Sequence, residues 1–104
     1  MIPGQGIINV FILAQNEPNP FSHETTIRYN LSQASPVTLK IFDITGRTVV
    51  TLVNETKAPG YNSARWNGKD SQGRFVVNGI YFYRIQAGDF TAAKMMVLLN
   101  GRLQ

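Results

Sequence analysis

Ser22-His23-Glu24 is the one place where a hydroxyl, an imidazole and a carboxylate adjoin, the three groups that serve elsewhere as nucleophile, base and orienting acid. Consecutive side chains on an extended segment diverge, whereas a working triad gathers residues from separated segments. His23 therefore reads as a solvated loop histidine. It is the sole histidine, and cysteine is absent, which removes disulfides, thiolate nucleophiles, Cys-ligated zinc or iron–sulfur centres and any site needing two imidazoles. Asp70 with Asn67 and Ser71 offers oxygens of the kind calcium takes. A calcium shell of about six to eight oxygens draws on several carboxylates, however, and Asp70 is the only acid between Lys57 and Ile80. Turn chemistry accounts for these residues better. No Walker A sequence occurs, and no glycine opens a helix that could hold phosphate. Asn30-Leu31-Ser32 and Asn54-Glu55-Thr56 match the glycosylation sequon, a triplet common by chance. The expectation is a chain that is not an enzyme and holds no metal or cofactor.

The chain has 104 residues, 43% apolar and 15% charged, which suits one small globular domain. Such a domain buries roughly two-thirds of the surface its unfolded chain exposes, enough for a sandwich-sized core but not for a deep cleft as well. Ten Lys/Arg against six Asp/Glu leave a formal charge of +4, but the cations are spaced singly, so no nucleic-acid partner is expected. No apolar run exceeds five residues, as in Met95 to Leu99, far short of the roughly twenty of a membrane helix. Met1 to Phe11 lacks the basic and apolar regions of a secretory signal, so the chain is expected to be cytoplasmic or a fragment whose signal lies elsewhere.

Glycine and proline divide the sequence into segments whose apolar residues recur every second position, and none holds the spacing of a helix. The spacing predicts strands at about Ile8 to Ala14, Thr26 to Leu31, Val37 to Asp43, Arg47 to Val53, Tyr61 to Asn67, Ile80 to Ala87 and Thr91 to Leu99. Ile27, Tyr29 and Leu31 are expected on one face of the second strand, with Thr26, Arg28 and Asn30 on the other. Asp43-Ile44-Thr45-Gly46 fits a tight turn that keeps strands three and four in one sheet. Gly88-Asp89 joins the last two strands as a short hairpin. The expected fold class is all-β, an immunoglobulin or fibronectin III-like two-sheet antiparallel sandwich of about seven strands. Strands one, two and five face strands four, three, six and seven. Alternation does not say where a sheet closes, so a small barrel stays open as the alternative.

The same pattern predicts an outward face on the four-stranded sheet bearing Lys40, Phe42, Phe82, Arg84, Gln86, Lys94 and Met96. Lysine guarding an edge strand is the simplest use of such a face. Exposed aromatics beside arginine are also what interfaces use, which makes Lys40, Phe42, Phe82, Arg84 and Lys94 a candidate docking face. Trp66, Tyr81 and Tyr83 are expected between the sheets.

Read in order, the punctuation resembles a known family. Phe11-Ile12-Leu13-Ala14-Gln15-Asn16-Glu17-Pro18-Asn19-Pro20-Phe21 is similar to the opening of the C-terminal sorting domains of bacterial type IX secretion and of the closely similar FlgD-like immunoglobulin domains. Thr26-Ile27-Arg28-Tyr29, Asp43-Ile44-Thr45-Gly46-Arg47 and Ala58-Pro59-Gly60 follow in the family's order. So do Trp66-Asn67-Gly68-Lys69-Asp70-Ser71-Gln72-Gly73, Gly79-Ile80-Tyr81-Phe82-Tyr83 and Lys94-Met95-Met96-Val97-Leu98-Leu99. The resemblance implies a sandwich over 11–99, after a linker at 1–10 and before a short tail at 100–104. Pro18, Asn19, Pro20, Asp43, Gly46, Gly60, Trp66, Gly68, Asp70, Gly73, Gly79, Tyr81 and Lys94 would be motif positions that shape the domain or are recognised. It further implies a larger secreted or surface protein whose export signal precedes this segment. The partners would be the covalently preceding cargo and the secretion machinery at the outer membrane, with cleavage near Pro3-Gly4-Gln5-Gly6. The isolated domain is expected to be monomeric. Relatives of this fold also serve as spacers or carbohydrate-binding modules beside secreted hydrolases, or as flagellar hook-cap subunits.

Overall fold

A computed structural model describes residues 10–100. The segments of period two become β1 (Ile12–Leu13), β2 (Thr25–Leu31), β3 (Ser35–Phe42), β4 (Thr48–Lys57), β5 (Gly60–Trp66), β6 (Gly79–Ala87) and β7 (Phe90–Leu98). They form a three-stranded sheet, β1-β2-β5, and a four-stranded sheet, β4-β3-β6-β7, with every strand pair antiparallel. This is the split expected from the hairpin at Asp43–Gly46. The early part of the expected first strand, the Pro3–Gly6 boundary and positions 101–104 lie outside the described residues.

Alternation explains the interior directly. Val37, Leu39 and Ile41 of β3 and Tyr81, Tyr83, Ile85 and Ala87 of β6 point inward from one sheet; Ile27, Tyr29, Leu31 and Trp66 point inward from the other, all buried. β4 runs to Lys57, beyond the expected end at Val53, because two register shifts against β3, between Leu39 and Lys40 and between Ile41 and Phe42, let pairing continue to Ser35. Such shifts bend a strand and raise its twist without ending it.

One expected face assignment is overturned at β7. The Gly88-Asp89 loop sets Phe90 opposite Ala87, which places Lys94 opposite inward-facing Tyr83 and Met95 opposite outward-facing Phe82. Opposed residues share a face of the sheet, so Lys94 and Met96 take the inner parity. Met96 is fully buried and Lys94 half-buried. A second correction concerns Asn30, which has outward parity but is only 3% exposed; its Nδ2 donates to the Val10 carbonyl at 2.9 Å.

Candidate functional site

The proline-rich segment before β2 lacks period two, so its backbone groups must find partners outside a regular ladder. They find them on β7, the edge of the four-stranded sheet. Gln15 Nε2 donates to the Met95 carbonyl at 2.8 Å, and the Val97 amide donates to Asn19 Oδ1 at 2.9 Å. Phe21 N–H donates to the Val97 carbonyl at 3.0 Å, and Leu99 N–H donates to the Phe21 carbonyl at 2.9 Å. The far side of the same segment is pinned to β2, where Glu17 and Thr26 exchange amide–carbonyl bonds at 2.9 and 2.8 Å. Pro18 and Pro20, both preceded by cis peptide bonds, offer no N–H to compete.

Beneath this staple, the Tyr83 hydroxyl accepts from the Asn16 amide at 2.8 Å and donates to the Ala14 carbonyl at 2.7 Å. Burial pushes the phenol up to about 12, with the Asn16 amide pulling weakly the other way. Thr25 Oγ1 accepts from Asn16 Nδ2 at 2.9 Å and donates to the Pro18 carbonyl at 2.9 Å. Trp66 packs between Phe21 and Tyr81, at 5.5 and 5.4 Å between ring centroids, and its Nε1 donates to the Lys69 carbonyl at 2.9 Å. Tyr81 stands at the start of β6 and donates to the Val77 carbonyl at 2.6 Å. That is the tyrosine corner of immunoglobulin-like sandwiches.

Asp43 and Asp70 head two copies of one loop, Asp-x-x-Gly-Arg. Asp43 Oδ1 accepts the Thr45 and Arg47 amides at 2.9 and 3.1 Å, while Asp70 Oδ1 accepts those of Gln72 and Arg74 at 2.9 and 3.0 Å. In each loop the glycine amide donates to the aspartate carbonyl, and the arginine Nε lies 3.5 Å from the other carboxylate oxygen. Gly46 and Gly73 have φ of +88° and +79°, left-handed values that an L side chain adopts only at a cost. The Thr45 hydroxyl first, then the amides and Arg47, hold the Asp43 carboxyl down at about 2; the backbone amides similarly lower Asp70. Gly60, Gly68 and Gly79 also sit at positive φ. Lys94 apart, the motif residues are absorbed in turns, staple and core.

The Ser22-His23-Glu24 group does not assemble as a relay. Ser22 Oγ lies 3.0 Å from His23 Nδ1, but all three side chains are exposed and Glu24 faces Arg65 at 3.8 Å instead. Trp66 is buried, while Tyr61 and Phe75 are exposed. Tyr61 stands near the start of β5, and Phe75 bridges to Lys69 beyond the end of that strand.

The outer face of the four-stranded sheet is where chemistry remains unspent. The register aligns Phe42, Phe82 and Met95 in one cross-strand row, and Lys40, Arg84 and Ala93 in the next. Phe82 and Met95 are exposed, and Phe42 and Lys40 half-buried. The Arg84 guanidinium lies 4.8 Å above the Phe42 ring. A hollow of about 290 Å³ opens there, lined by Phe42, Phe82, Arg84 and Ala93 and, from the loop after β3, by Asp43, Ile44 and Gly46. Four of the five expected face residues, Lys40, Phe42, Phe82 and Arg84, are brought together; Lys94 is not.

The model of the FlgD Ig-like domain family matches residues 20–89. The chain belongs to the FlgD Ig-like domain family. Among solved structures, this FlgD Ig-like domain is similar to part of dimeric latent PorU from Porphyromonas gingivalis, with 24% identity and a TM-score of 0.67 over 86% of this chain and 9% of that one. It is also similar to part of PorZ from the same organism, described as an essential surface component of the type IX secretion system. There the identity is 18% and the TM-score 0.58, over 93% of this chain and 13% of PorZ. The chain thus spans about a tenth of either, and both share its fold. No curated protein matches it.

Sequence reasoning missed Gln15, Asn16 and Tyr83 as one hydrogen-bonded unit of this FlgD Ig-like domain, and Met95 as a face residue. The signal for the first was a run of amides and prolines without alternation, whose backbone must be satisfied by side chains. The signal for the second was the two-residue hairpin loop, which fixes the parity of β7.

Proposed function

We propose that this chain is a non-catalytic C-terminal sorting and anchoring domain of a larger secreted protein, recognised by type IX secretion machinery and removed near its N-terminal boundary. Residues 1–10 would be the linker in which cleavage falls, 11–99 the sorting sandwich and 100–104 a short tail. The protein would pass through the periplasm and end secreted or on the cell surface. Its partners would be the preceding cargo and an outer-membrane receptor that docks on Lys40, Phe42, Phe82 and Arg84.

The observation that carries the reading is the division of labour among residues. Most motif residues build staple, loops and core, while on the outer face of the four-stranded sheet Phe82 and Met95 stay exposed and Lys40 and Arg84 have no carboxylate partner among the described residues. The common fold with PorZ supports the choice of secretion system. Fusing the chain to a periplasmic reporter in a type IX-competent strain tests it: export of the reporter is expected, and retention in the periplasm refutes the sorting role. A spacer or hook-cap-type structural role is the second reading, favoured by the family match. Ordered self-association of the isolated chain in sedimentation would select the hook-cap-type role.

A further inference from the structure

We infer that the outer face of the four-stranded sheet receives an extended acidic peptide segment, with an apolar side chain against Phe42, Phe82 and Met95 and a carboxylate two residues along against Lys40 and Arg84. The inference rests on the docking-face reading above and not on sorting itself.

Charge accounting points to the sign. Of the six acids, Glu17, Glu24, Asp43, Glu55 and Asp70 each face a cation, respectively Arg28, Arg65, Arg47, Lys57 and Arg74. The sixth, Asp89, lies in the hairpin loop at the far end of β6 and β7. Among the described residues, the cations with no carboxylate partner are therefore Lys40, Lys69, Arg84 and Lys94. Lys69 lies beyond the end of β5, outside the four-stranded sheet, and Lys94 has the opposite parity. Lys40 and Arg84 remain, directly opposed across β3 and β6. Like charges directly opposite destabilise a sheet, and no acid occupies the outward positions of β3, β4, β6 or β7 to offset them; Asp43, which lines the hollow, is already engaged by Arg47 and the amides of its own loop. An anionic partner would relieve that repulsion on binding.

Spacing points to the shape. Phe42 and Lys40 are two residues apart on β3, and Phe82 and Arg84 two apart on β6. The apolar and cationic rows therefore lie about 6.6 to 6.8 Å apart, the repeat between same-face side chains of any extended chain. A segment lying along the strands with an apolar residue at one position and Asp or Glu two further on meets both rows. The hollow beside Phe82 and Arg84 opens to solvent, as the seat of an extended chain must. A flat anionic surface would meet the cations but leave the apolar row in water.

The test is titration of the ¹⁵N-labelled full chain with a short peptide repeating phenylalanine, threonine, glutamate and threonine, with its lysine-for-glutamate counterpart, and with phosphatidylglycerol vesicles. The expected result is amide shifts at Phe82, Arg84 and Met95 with the acidic peptide only, weakening with salt. Lys40→Gln with Arg84→Gln should weaken binding about tenfold while leaving the remaining spectrum in place. Equal binding of the lysine peptide, shifts centred elsewhere, no shifts, or a response to vesicles alone would each overturn the inference. Sorting in the reporter assay would stand in any of those cases, so the two failures are distinguishable.

Discussion

Tyr83→Phe and Tyr29→Phe remove the same atom from two equally buried rings, and the structure predicts opposite outcomes. Tyr83 is fully buried, and its hydroxyl bonds to the Asn16 amide and the Ala14 carbonyl. Deleting it strands the Asn16 N–H, whose residue is 1% exposed, while the half-buried Ala14 carbonyl can turn to water. A buried donor left alone costs about 1–3 kcal/mol, and the second bond adds part of another. A loss of about 2–3 kcal/mol is expected, or roughly 8–24 °C in melting temperature for a domain of this size. Tyr29 is 2% exposed, and its hydroxyl has no hydrogen-bond partner among the described residues. Its removal should leave stability unchanged or raise it by about 1 kcal/mol. Urea unfolding followed by Trp66 fluorescence measures both. Equal losses for the two variants would refute the claim that the staple is held through Tyr83.

Acid should weaken the turns before it weakens the core. The Asp43 carboxyl is held at about 2, below the ordinary 3.8, so its contribution is complete above about pH 3.8 and disappears as pH falls towards 2. Asp43→Asn should flatten that part of the stability–pH profile. Burial raises Tyr83 to about 12, so its contribution is intact below pH 10 and disappears as pH rises towards 12; Tyr83→Phe should remove that alkaline decline, seen by absorbance of phenolate. Trp66→Ala should cost about 3–5 kcal/mol in urea unfolding, because the ring is 1% exposed between Phe21 and Tyr81. Lys40→Gln should stabilise the chain by about 0.2–1 kcal/mol by removing the cation opposite Arg84, and a loss of that size would contradict the unrelieved repulsion.

The two-sheet split was legible because period two and the Asp43–Gly46 turn are local signals, and the turn forces β3 and β4 into one sheet. Trp66, Tyr81 and Tyr83 were legible as core by alternation alone. Lys94 was misplaced because parity along β7 depends on the loop: shifting pairing by one residue moves every side chain to the other face. Gln15 and Asn19 bond to β7 across more than seventy residues of sequence, and no local pattern encodes such a partner. The Asp-x-x-Gly-Arg repeat was visible as letters, but its common meaning came only from the matching bonds made by Asp43 and Asp70. The cationic pair on the outer face needed both kinds of information, since Lys40 and Arg84 lie far apart in sequence and meet only through the β3–β6 register.

The central claim, that the outer sheet face is what a secretion receptor reads, is tested most directly by the reporter fusion carrying Phe42→Ser with Phe82→Ser. The account predicts that the unaltered fusion leaves the periplasm while the double variant, still folded by circular dichroism, stays behind. Export of the double variant at the unaltered rate would contradict it.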